Sequence, residues 1–281
     1  MRIRGIAKKL LSKSPSLYAS IHTKNFERNH KQDFTNIEDK EKNILLEIHQ
    51  NGFAVLPKFF DVDFCNSCIK DMDLMFKNKK EFVHTTSDLR IFGAEDLSEN
   101  ISKFGNHQLF NFLANTYNAT PTSNAFTLAG KMIDSDQEFG SGGSWHRDSI
   151  FRQFKCIVYL TDVDENNGPF QMILNSHTPK QIKNDEKSAN YESMQSRFNS
   201  EEVDILVKQN PERLKTLTGK AGTVIFVDTS VIHRGLPLKQ GPRYALTNYY
   251  FENSQINSHL IDHFSPMVSP KKVLKMGLNE N

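Results

Sequence analysis

The apolar positions of the chain change their period near residue 124. Before it they recur at helical spacing. Ile37, Ile44, Leu45 and Ile48 form one stripe, which predicts a helix capped by Asn36 with Glu38 and Asp39 in its first turn. Asn51-Gly52 stops that helix, and Phe53-Ala54-Val55-Leu56-Pro57 reads as a short strand. Asp61 stands where it can cap a second helix running through Phe76, and residues 97–117 predict a third. From residue 124 onward short β-rich runs take over, at 124–133, 154–163, 169–174, 222–228 and 243–251, separated by turn residues. Strands at this spacing predict an antiparallel sandwich or barrel behind an N-terminal helical part. One segment, 178–215, interrupts them with mixed charge and helical character. A compact domain rarely keeps so long an excursion without using it, so a lid over a binding site is expected there.

A chain of 281 residues can bury one full core, and neither an internal repeat nor an interdomain linker divides it. The expected layout is a basic extension over 1–35, a single domain over 36–265 and a tail over 266–281. No run of eighteen apolar residues is present, which excludes a membrane-spanning helix and leaves a soluble globular protein. Cys65, Cys68 and Cys156 are too few and too uneven for a disulfide framework, so a reducing, cytoplasmic setting is expected. Cys65 and Cys68 share the second helix and read as core or half-exposed thiols.

Charge is uneven along the chain. The formal net charge is +2, yet residues 1–26 hold Arg2, Arg4, Lys8, Lys9, Lys13 and Lys24 with no acid. Without those six, 29 basic residues face 33 acidic ones, so the body is mildly acidic and carries no nucleic-acid footprint. The extension reads first as a plain extension. A short amphipathic helix resting weakly on an anionic membrane surface and a targeting segment are the alternatives.

The densest chemical signal is Ser144-Trp145-His146-Arg147-Asp148, which follows glycine-rich sequence and precedes a strand. In extended chain, residues two apart face one side, so His146 and Asp148 can reach one metal ion while Arg147 points away. A third ligand is offered by His233, at the end of a strand that follows the Gly222 turn. Two histidines and one carboxylate leave open positions on iron(II), the arrangement of non-haem oxygenases. Arg243 opens a strand ten residues later, and a hairpin-like connection returns it near His233. Its planar fork suits the distal carboxylate of a bound 2-oxoglutarate.

Taken together, Asn51-Gly52-Phe53-Ala54-Val55-Leu56-Pro57, His146-Arg147-Asp148, Asn166-Asn167-Gly168-Pro169-Phe170-Gln171 leading to Asn175-Ser176-His177, and the pair His233 and Arg243 resemble the phytanoyl-CoA dioxygenase family over roughly residues 45–251. The resemblance implies a double-stranded β-helix (jelly-roll, cupin-like) core with flanking helices, iron(II), and 2-oxoglutarate and O2 as cosubstrates. The implied reaction is hydroxylation of a small-molecule or lipid-like substrate with release of succinate and CO2. Family position also makes Lys131 and Thr127 candidates for cosubstrate contact; Arg147, beside a ligand, is a further candidate to contact cosubstrate or substrate through the loop. Two departures stand out. Gly235 occupies the place of a usual hydroxyl or amide two residues after the distal histidine, and Asn175 replaces a usual turn glycine, where asparagine tolerates the left-handed conformation. His177 is implied to be a turn residue, and Trp145 either packs beside the metal or anchors its strand.

Asp148 favours hydroxylation, because related halogenases leave the carboxylate position empty for chloride. The H-R-D of protein kinases is not matched, since Gln153 stands where that motif needs asparagine and no D-F-G follows. The rival reading is a cupin-like metal-binding protein or isomerase that does not use 2-oxoglutarate, in which Arg243 has no assigned task. A membrane scaffold would rest on residues 1–26 alone. The pocket is expected to be lined by the helical half, the 79–96 region and the 178–215 excursion.

Overall fold

The computed structural model describes residues 37–85, 88–133, 143–256 and 258–264, with scattered positions between 14 and 24. The expected extension and tail therefore lie almost wholly outside the described residues, as does Asn36. Helix α1 (Asp39–Asn51) begins at Glu38, whose side chain caps nothing, and ends at Gly52. Gly52 takes φ 91°, and a Cβ there would come 2.6 Å from the Val231 side chain, so only glycine ends the helix this way. Strand β1 (Phe53–Leu56) follows, and Asp61 caps α2 (Val62–Asn78) by accepting from the Phe64 amide.

The helix expected over 97–117 is two helices, α3 (Glu99–Gly105) and α4 (Gln108–Asn118). His107 breaks them by leaving helical φ/ψ to stack its ring on Phe110 at 4.3 Å, an aromatic contact that outweighs local propensity. Two strands precede α3 without having been expected, β2 (His84–Thr85) and β3 (Asp88–Phe92). The expected runs appear as β4 (Thr122–Met132), β5 (Phe154–Tyr159), β6 (Phe170–Ile173), β8 (Val224–Asp228) and β10 (Arg243–Glu252). Two more strands, β7 (Leu214–Leu217) and β9 (His233–Gly235), flank β8. A short helix, α7 (Ser258–Phe264), follows β10.

Among the described residues the strands form two antiparallel sheets, ordered β1-β8-β5-β10-β4-β3-β2 and β7-β6-β9. They face each other as a jelly roll. Alternation of side chains sorts each strand of the large sheet. Cys156, Val158, Phe226 and Leu246 turn outward onto α1, α2 and α4, where Leu45, Met72 and Phe110 are fully buried. Ile157, Tyr159, Ile225 and Val227 turn inward to meet Met172 and Leu217 of the small sheet. All three cysteines are buried and free, as core thiols, and burial pushes the Cys65 thiol up to about 11. No helix among the described residues is long and apolar enough to cross a membrane.

The 178–215 segment contains α5 (Pro179–Ala189) and α6 (Ser200–Gln209). Val203 and Leu206 of α6 pack with Phe198, Trp145, Ile173 and Ile232 on the outer face of the small sheet. The helices of the segment are thus an outer wall, and only its connecting stretch at Arg197 reaches the interior. A buried ion pair ties the wall down: Arg213 donates to both Asp185 carboxylate oxygens at 2.8 Å and to the Leu174 carbonyl at 3.0 Å. Removing one partner strands the other charge in a site that water does not reach. Asp185→Ala is therefore expected to lower unfolding free energy by about 3 kcal/mol in denaturant titration, and the paired change Asp185→Leu/Arg213→Met by clearly less. Equal losses in the two would show that the ion pair is not what holds the wall.

Candidate metal centre and its cavity

The strand expected to run from Gly222 to His233 breaks at Asp228. That carboxylate accepts from Tyr117 Oη at 2.8 Å, from Ser230 Oγ at 2.7 Å and from the amides of Ser230 and Gln153 at 3.0 and 3.2 Å. It thereby fixes a turn that moves the chain from the large sheet to the small one, where His233 opens β9. His146 meets it there. The His146 amide donates to the His233 carbonyl at 2.9 Å, and the reverse bond is 2.8 Å. Residues that exchange both bonds across an antiparallel pair project their side chains to one face. The Asp148 amide donates to the Thr229 carbonyl at 3.1 Å, which brings the carboxylate round to the same side.

The ligand atoms of His146, Asp148 and His233 lie within 4.8 Å of one another. Their environment suits a metal ion in two further respects. His146 Nδ1 lies 2.7 Å from the Ser144 carbonyl and His233 Nδ1 lies 3.0 Å from the Val231 carbonyl, contacts that put the ring proton on Nδ1 and leave Nε2 as a lone-pair donor. Burial also pushes both imidazoles toward the neutral form, His233 down to about 4 and His146 in the same direction. Asp148 behaves oppositely. Burial would raise its carboxyl, but the Lys155 ammonium 2.8 Å away holds it well below the usual carboxylate range. The centre therefore presents two neutral imidazoles and one carboxylate.

Lys155 was not expected from the pattern of the sequence. It lies on β5, 4% exposed, with its ammonium 3.7 Å from the centre of the Tyr249 ring. The signal available for it was one charge in the otherwise apolar run Phe154-Lys155-Cys156-Ile157-Val158-Tyr159, since a buried lysine must have a partner.

A cavity of about 280 Å³ opens beside the three ligands. Arg243 lies in its wall, on β10 rather than in a hairpin with β9, so the two strands face each other from different sheets. One of its NH groups donates to the Gly168 carbonyl, while its Nε is buried with no partner. Gly235 also lines this cavity and adds no hydrogen-bonding side chain.

Lys131 and Thr127, expected at the cosubstrate, are not there. On β4 it is Leu128, Gly130 and Met132 that face the cavity, and strand alternation sends 127 and 131 to the other side. Lys131 instead pairs with Asp73 at 2.9 Å on the outer face, and Thr127 donates to Asn248 at 2.7 Å in the buried layer under α3. Arg147 likewise points away from the cavity. It donates to the Ser176 carbonyl at 2.9 Å and lies over the Phe198 ring, latching the ligand loop to the outer wall. Trp145 anchors the ligand loop in the core, buried beneath the Arg234 guanidinium at 4.3 Å. His177 lies away from the ligands, and Asn175 takes φ 63°, the left-handed turn that its side chain tolerates. Among the described residues no helix lines the cavity, whereas Asp88 and Arg90 of β3 and Arg197 of the outer wall do.

Solved structures share this architecture. EctD from S. alaskensis, with 2-oxoglutarate and 5-hydroxyectoine, superposes with a TM-score of 0.59 at 17% identity over 78% of this chain and 77% of that one. The epimerase SnoN, in complex with Fe3+, alpha ketoglutarate and nogalamycin RO, gives 0.58 at 12% identity over 76% and 84%. The alpha ketoglutarate dependent carbocyclase SnoK from nogalamycin biosynthesis gives 0.52 at 13% identity over 78% and 85%. At such identities the likeness is one of fold. No curated protein matches the sequence. The model of the phytanoyl-CoA dioxygenase (PhyH) family matches residues 48–243, a stretch that holds all three ligand residues and ends on Arg243, and the chain belongs to that family.

Proposed function

We propose that the protein is an iron(II)- and 2-oxoglutarate-dependent oxygenase that hydroxylates a small molecule. The observation that carries this reading is the pairing of the His146, Asp148 and His233 cluster with a half-buried Arg243 in the wall of the same cavity, whose Nε is buried without a partner. A metal-only role explains the cluster but leaves the buried Nε of Arg243 without a partner.

His146, Asp148 and His233 would hold the iron, which supplies the activation of oxygen that couples decarboxylation of 2-oxoglutarate to oxidation of the substrate. The chain's own residues do the rest. Arg243 offers its free Nε to the distal carboxylate of the cosubstrate, in a site where burial strengthens the charge-assisted bond. Lys155 keeps Asp148 ionised and holds one carboxylate oxygen in place, which orients the other toward the metal. Phe170 stacks on the His233 ring at 5.0 Å between centroids and shields it from water. The three-residue ligand set retains its carboxylate, which favours hydroxylation over halogenation. Epimerase and carbocyclase relatives of the same fold make the fate of the substrate the point to test, and incorporation of labelled oxygen from O2 into the product distinguishes hydroxylation from both.

Purified anaerobically with iron(II), the wild type should bind 2-oxoglutarate and form succinate, and His146→Ala should lose iron binding. Equal iron and 2-oxoglutarate binding by the two proteins would defeat the reading. Arg243→Lys should raise the KM for 2-oxoglutarate about tenfold or more, because an ammonium cannot reproduce the planar fork. An unchanged KM favours a cupin-like metal protein instead. Lys155→Met should weaken iron binding by about 10- to 100-fold, measured by competition with a chelator, while the protein remains folded by circular dichroism.

A further inference from the structure

Charge in the cavity wall is not balanced. Among the described residues four cations line it, Arg90, Lys155, Arg197 and Arg243, against two carboxylates, Asp88 and Asp148. Two ion pairs are internal to the wall: Arg90 with Asp88 at 2.8 Å and Lys155 with Asp148 at 2.8 Å. Arg243, which also feels the Asp88 charge, and Arg197 make the cations exceed the carboxylates by two. Iron(II) and doubly charged 2-oxoglutarate cancel each other, so loading the site leaves these two positive charges in place. Arg243 meets the cosubstrate. Arg197 meets nothing the oxygenase reading supplies.

Its position is defined by the backbone. Arg197 is bridged to His146 as an antiparallel partner, on the opposite side from His233, and the Arg147 amide donates to the Ser196 carbonyl at 2.9 Å. The register that turns both histidines toward the metal therefore turns Arg197 toward the cavity too. Its side chain is exposed at the mouth, and no carboxylate of the described residues forms an ion pair with it. The Phe198 amide donates to the Trp145 carbonyl at 2.9 Å, and the Phe198 ring is buried in the outer wall, so the backbone carrying Arg197 is anchored on both sides.

We propose that the substrate is an anion, bearing a carboxylate or a phosphate, and that Arg197 binds its acidic group at the cavity mouth. This rests on the oxygenase reading and deepens it. The 280 Å³ must also accommodate 2-oxoglutarate, so the substrate is a small acid or presents only its reacting part inside. A guanidinium suits both acid types, because its two parallel N–H bonds match either pair of oxygens. A neutral or cationic substrate would leave Arg197 with water as its partner, whereas an anion entering the mouth gains a charge-assisted pair there.

The test uses full-length protein loaded anaerobically with iron(II) and 2-oxoglutarate, whose retention is measured first. Failure to retain them overturns the oxygenase reading, and this proposal with it. The loaded protein is then titrated calorimetrically with inorganic phosphate against trimethyl phosphate, and with propionate against propionamide. At least one anion should bind with a Kd in the millimolar range or tighter, about tenfold or more ahead of its neutral counterpart, and which anion binds tells a phosphate ester from a carboxylic acid. Arg197→Gln should weaken that anion about tenfold, whereas Lys208→Gln, an exposed charge elsewhere on the same segment, should leave it unchanged. If retention holds but neither anion binds in that range, if the neutral counterparts bind equally, or if Arg197→Gln binds like the wild type, the anionic substrate is excluded and the oxygenase reading stands.

Discussion

His146 and His233 exchange two backbone hydrogen bonds, and the arrangement of the centre depends on that exchange. The bridge ties the ligand loop to the small sheet, sets both imidazoles on one face and fixes the register from which Asp148 and Arg197 are aimed. Side chains alternate with a period of two, so a slip of one residue would turn every one of these groups away from the cavity. The surrounding structure resists such a slip. Asp228 accepts four hydrogen bonds around the turn before His233, and Ser176 Oγ accepts from the Ile232 amide at 2.8 Å beside it. Arg147, on the far side of the loop, holds it against the Ser176 carbonyl.

With geometry fixed by the backbone, the chemistry is set by burial. The same removal from water acts in opposite senses on the two kinds of ligand. It makes the buried histidines neutral, which a metal ion requires, and at Asp148, whose carboxylate stays partly open to solvent, the weaker desolvation still favours protonation, which a metal ion does not tolerate. Lys155 resolves the conflict by supplying a buried positive charge at hydrogen-bonding distance. Arg243 extends the same logic to the opposite wall, where desolvation and a buried, unpartnered Nε favour pairing with an anion. The cavity is therefore an electrostatic device as much as a shape, lined by four cations against two carboxylates.

Much of this was legible in the chain, and the failures have a common cause. The strands, the stop at Gly52, the cap at Asp61 and the left-handed Asn175 follow from local rules that tertiary contacts did not overturn. The single helix over 97–117 failed because His107 finds a stacking partner in Phe110, and the strand through His233 failed because Asp228 gathers donors distant in sequence. Thr127 and Lys131 failed for a simpler reason. Position in a family motif places a residue along a strand, whereas its face depends on cross-strand register, here Thr127 opposite Asn248 and Lys131 opposite Tyr244.

By itself the sequence determined the ligand types, the spacing of His146 and Asp148, the presence of a buried-compatible arginine at 243 and the two-sheet class of the fold. These are properties of residue chemistry and short-range periodicity, which a chain carries before it folds. Only the tertiary structure decided that His233 reaches the other two ligands, that Lys155 is the partner of Asp148, and that Arg197 rather than Lys131 faces the cavity. Each of those depends on which strand lies beside which and in what register, a matter settled by packing between segments far apart in the chain.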